Sequence, residues 1–146
     1  MIAQTIQLAL APVFVLVAIG NILNLLSSRL GRVVDRSREL QGRHMATEGP
    51  DHDMVVLEIR MIDRRITLVT RAIGLLVLSG LTIGTTVAIL FLEEFVQVNL
   101  QLVAAAFFLV AIGLLMWALV LFLRETQIAA RQLRIPSDYL ELEREL

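Results

Sequence analysis

Three blocks without a charged side chain constrain this chain more than any other feature. Residues 1–28, 73–92 and 100–123 contain no Asp, Glu, Lys or Arg and are dominated by Leu, Ile, Val and Ala. A helix of about 20 apolar residues spans a bilayer core, so each block is long enough to cross one. The chain is 57% hydrophobic with a mean hydropathy of +0.76, above the soluble norm. Because the excess comes in blocks, it points to membrane spans rather than to an oversized core.

The expected fold class is therefore all-α, an integral membrane protein with three long transmembrane helices. One membrane domain covers 1–146, with spans at about 2–28, 73–92 and 100–123, a helical hairpin at 29–72 and a tail at 124–146. A cleaved signal peptide is the competing reading of the first block. It would carry basic residues before the apolar run, whereas Arg29 and Arg32 come directly after it. The block is read as a retained span, bent modestly where Pro12 removes a helical hydrogen bond.

Arginine counting sets the expected orientation. Residues 29–71 hold nine of the thirteen basic residues, the link Glu93–Asn99 holds none, and the stretch after the third span holds four. Lys and Arg concentrate in cytoplasmic loops. This predicts an N-terminus outside, residues 29–71 in the cytoplasm, the link outside and the C-terminus in the cytoplasm, in the inner (plasma) membrane of a cell. A net charge of −1 argues against nucleic acid as a partner. The absence of cysteine excludes disulfides, thiolate metal sites and thiol nucleophiles.

The hairpin reads as two helical arms. Gly31 is the only breaker between Ser28 and Gln41, whereas the stretch Gly42–His52 carries two Gly and one Pro and reads as the turn. Asp51 or Asp53 is placed to cap the returning helix. Val55, Ile59, Ile62, Ile66, Val69 and Ile73 recur at helical spacing on that arm, and Leu26, Leu30, Val33 and Leu40 on the outgoing one.

A near-duplication marks both arms: Arg32-Val33-Val34-Asp35-Arg36 and Arg60-Met61-Ile62-Asp63-Arg64. Asp35 is three residues from Arg32 and Arg38, and Asp63 three from Arg60, spacings that share a helix surface. Together with Arg29, these residues form a candidate salt-bridge or headgroup network. Every basic residue is arginine, whose planar fork pairs bidentately with carboxylate and phosphate. Solvated faces beside anionic lipid are the plainer reading. Outside the connector His44–Asp53, nine Arg meet only Asp35, Glu39, Glu58 and Asp63, leaving five charges for headgroups or a partner.

Polar residues inside the spans form a second pattern. Gln7, Asn21, Asn24 and Ser28 share one face of the first span with Ala11 and Ala18. Carboxamides in hydrocarbon need partners. The face is read either as glue between helices or as the lining of a water-filled path in an oligomer. Gly80 and Gly84 in the second span are spaced for close helix packing, and Trp117 reads as an interfacial anchor. After Arg124 the helix is expected to run to Pro136, before the acidic stretch Ser137–Leu146.

No catalytic constellation is found, and an enzyme is not expected. His44, Glu48, Asp51, His52 and Asp53 are metal-capable types, but their spacing matches no standard site, so neither a metal nor a cofactor is assigned.

The run Ala11-Pro12-Val13-Phe14, then Asn21-x-x-Asn24, Arg29-Leu30-x-Arg32-Val33-Val34-Asp35-Arg36-x-Arg38 and Asp63-Arg64-Arg65 resembles the bacterial three-helix membrane proteins grouped as domain of unknown function 2721. The resemblance implies an integral membrane protein and brings no activity, cofactor or catalytic residue with it. The leading expectation is a homo-oligomeric assembly in contact with membrane lipid, with a channel-like pore lined by the first span as one form. The alternative is a membrane-anchored adaptor whose hairpin binds a cytoplasmic protein partner or anionic lipid.

Overall fold

The computed structural model describes residues 2–132 of the chain. They form three helices, α1 (Ile2–His44), α2 (Pro50–Val96) and α3 (Gln101–Gln132). The expected stop at Pro136 and the acidic stretch 137–146 lie outside the described residues. All three helices are long and apolar enough to cross a membrane. At 1.5 Å per residue, the 43 residues of α1 and 47 of α2 extend ~65–70 Å. A hydrocarbon core is ~30 Å thick. Each of the two thus has a greasy half and a charged half, joined without a break.

The turn between α1 and α2 is narrower than its glycines and proline suggest. Helix α1 continues through Gly42 to His44, and α2 starts at Pro50, leaving only Met45–Gly49 between them. Proline fits the first helical position because its missing N–H has no partner to lose there. Gly49 precedes it at φ +70°, in the left-handed region that a Cβ disfavours. Neither Asp51 nor Asp53 caps the helix. Gly49 occupies the N-cap without a side-chain bond, and both aspartates lie in the first turn, where the helix dipole favours acids. At the other end, the Gln97 N–H donates to the Glu93 carbonyl at 2.9 Å and closes α2. The chain then turns directly into α3.

Packing follows a seven-residue recurrence on all three helices. The buried positions are Ile19, Leu26, Val33 and Leu40 on α1, and Ile62, Val69, Leu76 and Ile83 on α2. On α3 they are Ala104, Ala111 and Ala118. Such a repeat keeps one seam facing the neighbour as helices wind around each other. Helix α2 packs along both α1 and α3. The charged arms zip together through Val33, Leu40 and Ile62, with Val55, Ile59 and Ile66 packed against them, so the two stripes read from the sequence do meet. Alanine on α3 allows a close approach, which the Ser79 hydroxyl uses to donate to the buried Ala111 carbonyl at 2.7 Å.

Gly80 and Gly84 do not bring two backbones together within the chain. A Cβ on Gly80 would lie 3.6 Å from Leu16, an ordinary contact, and one on Gly84 would meet nothing within 4 Å. Trp117 faces outward, as an anchor would. Ser79→Val should lower stability by about 1 kcal/mol through the lost interhelical bond. Gly80→Ala should leave stability within about 0.5 kcal/mol. Thermal unfolding in detergent measures both.

Candidate functional site

The recurrence on α3 does not stop at Ala118. Its next position is Glu125, completely buried where apolar residues would be expected. A carboxylate there must be paired, because an isolated buried charge is strongly disfavoured. Each of the other two helices supplies a guanidinium. Arg65 of α2 donates from Nε (3.0 Å) and Nη2 (2.9 Å) to Glu125 Oε1. Arg29 of α1 donates from Nη1 to Oε2 at 3.0 Å and to Thr126 Oγ1 at 3.3 Å. The Arg29 guanidinium also lies 5.0 Å from the centre of the Phe122 ring, a cation–π distance. The Arg29 and Arg65 side chains are 30% and 19% exposed. The ion cluster is therefore dry at the carboxylate and open to solvent at the guanidinium side.

Farther along the charged arms, Arg36 bridges to α2. Its Nε and Nη2 reach Glu58 at 3.0 and 2.8 Å, and its Nη1 reaches Glu39 at 2.7 Å. Glu39 also pairs with Arg43 at 3.1 Å. These carboxylates, Glu58 first, raise the Arg36 pKa above its ordinary value. Arg36 in turn holds Glu39 below the usual 4.5. A lowered carboxylate pKa adds stability that is complete above the ordinary value and disappears as pH falls through the folded one. The Glu39 side chain is about half exposed, so this contribution is screened.

The duplicated Arg-x-x-Asp-Arg units do not build a symmetric network. Among the described residues, Asp35, Asp63, Arg32, Arg38, Arg60 and Arg64 form no ion pair, and all are exposed. The pairs run instead through Arg29, Arg36 and Arg65 to Glu125, Glu58 and Glu39. Two of those carboxylates, Glu39 and Glu58, were among the acids that sequence counting weighed against the arginines. Glu125 was not, because it reads as the charged end of the third span. Its place in the series Ala104, Ala111, Ala118 was the signal that marks it as a core residue.

The amide face lies on the opposite side of α1. Gln7, Asn21, Asn24 and Ser28 are all exposed and make no hydrogen bond within the described residues. Asn21 follows the core residue Ile19 by two positions, and Ser28 follows Leu26 likewise. That step is about 200° around a helix, so the face points directly away from the core. At the hairpin tip the His44 and His52 rings meet at 4.4 Å between centroids.

Residues 9–135 match the model of a family described as "Protein of unknown function (DUF2721)". No curated protein and no solved structure matches the chain.

Glu125→Gln should destabilise the chain by about 3 kcal/mol, since it leaves two half-buried guanidiniums sharing a neutral amide. Glu58→Gln, at a half-exposed pair, should cost no more than about 1 kcal/mol. Replacing Arg29, Arg65 and Glu125 together by Met should recover most of the loss, because the buried charges vanish as a set. Unfolding of the three variants in detergent gives the comparison.

Proposed function

This chain belongs to the DUF2721 family of proteins of unknown function, and we propose that it acts as a homo-oligomeric membrane assembly with α1 at the interface between copies. The single observation that carries this reading is the unsatisfied amide face of α1, lying within its apolar length and opposite to its core. Leaving a carboxamide in hydrocarbon without a partner costs roughly 2–7 kcal/mol. Asn and Gln side chains both donate and accept, so the same face on a second copy is complementary to it, as an interface between identical subunits requires. Asp35 continues the line of Asn21 and Ser28 at seven-residue spacing. It stands exposed and unpaired beside Arg32 and Arg38, where a second copy would offer it arginines.

In this reading the three helices cross the inner membrane with the arginine-rich hairpin in the cytoplasm, as the distribution of arginine favours. A small bundle turns the amides onto each other. A wider ring turns them onto water, and the assembly then conducts along an axis lined by α1.

A second reading is supported by a different surface. Met54, Leu57 and Met61 are 69%, 57% and 43% exposed on the charged arm of α2, beside the unpaired Arg60 and Arg64. Flexible methionines flanked by arginines suit an adaptor that docks an amphipathic, acidic segment of a protein partner.

The chain has no native cysteine, so single cysteines report contacts cleanly. Asn21→Cys and Asn24→Cys should cross-link between copies in membranes under oxidation, whereas Leu109→Cys, outward on α3, should not. Equal cross-linking at all three positions, or none at Asn21 and Asn24, would remove α1 from the interface. In reconstituted vesicles, Asn21→Leu should alter ion flux if the ring is open. A wild type without flux under any gradient leaves the closed bundle.

A further inference from the structure

We infer that the cleft over the buried Glu125 cluster is a binding site for a phosphate group, and that a membrane phospholipid headgroup supplies it. The cleft holds about 320 Å³ and is lined by Arg29, Arg32, Arg36 and Arg65, with Val33 and Ile62 at its base. Glu125 is shared by Arg29 and Arg65, Glu58 and Glu39 answer Arg36, and Arg32 forms no ion pair among the described residues. Arg32 thus brings a whole unanswered charge to the cleft, which matches the single negative charge of a phosphodiester.

The donors are also fixed in place. Arg29 is tied down through Nη1 alone, to Glu125, Thr126 and the Phe122 ring, so its Nε and Nη2 hydrogens have no partner within the described residues. Immobilised guanidiniums with spare forked donors suit phosphate oxygens, since little side-chain freedom is lost on binding. Position selects the source. Arg29 directly follows the first apolar block, and Arg124-Glu125 directly follows the third. That places the cleft at the level of lipid headgroups once the three helices cross a bilayer. This inference goes beyond both readings above. It rests on membrane placement and needs neither self-assembly nor a protein partner, because one chain builds the whole cleft.

The test uses the full chain in neutral detergent, titrated with short-chain phosphatidylglycerol, with short-chain diacylglycerol lacking the phosphate, and with inorganic phosphate. Arg32 makes no contact that the fold needs, so Arg32→Gln leaves the cluster intact. Arg60→Gln removes the same charge from the arm outside the cleft. Phosphatidylglycerol should bind and diacylglycerol should not, and Arg32→Gln should weaken binding about tenfold, the loss of one charge-assisted bond. Arg60→Gln should leave it unchanged. Inorganic phosphate binding as tightly as the lipid, and lost in Arg32→Gln, would keep the site and assign it to a soluble phosphate. Equal binding of the two lipids, no effect of Arg32→Gln, or equal losses in both variants would overturn the cleft. None of these outcomes bears on whether Asn21→Cys cross-links.

Discussion

A carboxylate without access to water, gripped by one guanidinium from each neighbouring helix, is the interaction on which the relative placement of the three helices depends. Apolar packing alone would tolerate sliding, because the seam on α3 is built from alanines that look much alike at every turn. Glu125 does not tolerate it. Moving α3 by one turn would carry Glu125 away from Arg29 and Arg65 and leave its carboxylate buried without compensation. Whatever the pair adds to net stability, it removes alternative registers, the best-attested use of buried polar groups.

The same cluster explains how the chain carries so much positive charge where its spans end. Arg29 and Arg65 are held rigid from below by Glu125 and open to the cleft above. Arg36 is held from the side by Glu58 and Glu39. Arg43 pairs with Glu39 as well, whereas Arg32, Arg38, Arg60 and Arg64 stand free of ion pairs among the described residues. Fixed donors with unpaired charge beside them suit the phosphate site we infer, whereas a fully paired network would make only a brace.

Helix α1 is two-sided along its whole length. One line, Ile19, Leu26, Val33 and Leu40, closes against α2. The opposite line, Gln7, Asn21, Ser28 and Asp35, is polar and unsatisfied by its own chain. The first three lie within the apolar length of α1, and Asp35 stands exposed on the charged arm without an ion pair among the described residues. The core and the outward face thus lie on opposite sides of one helix, and the self-association we propose would cover the outward one.

Much of this was legible in the residues themselves. Charge-free blocks of sufficient length point to three spanning helices, since a helix satisfies its backbone polar groups within one segment. Helical periodicity marked the zipped stripes of the arms and grouped the amides on one face. Other features were decided only by the assembled structure. Turn-forming residues do not say where a helix yields, so Gly42 stayed helical while Gly49 and Pro50 made the break. Spacing of three residues lets Asp35 and Asp63 reach an arginine but does not oblige them to, and the longer side chains of Glu39 on the same helix and Glu58 on the facing one reached Arg36 instead. The burial of Glu125 required all three helices at once, because a charge becomes a core residue only when partners from distant segments arrive to neutralise it.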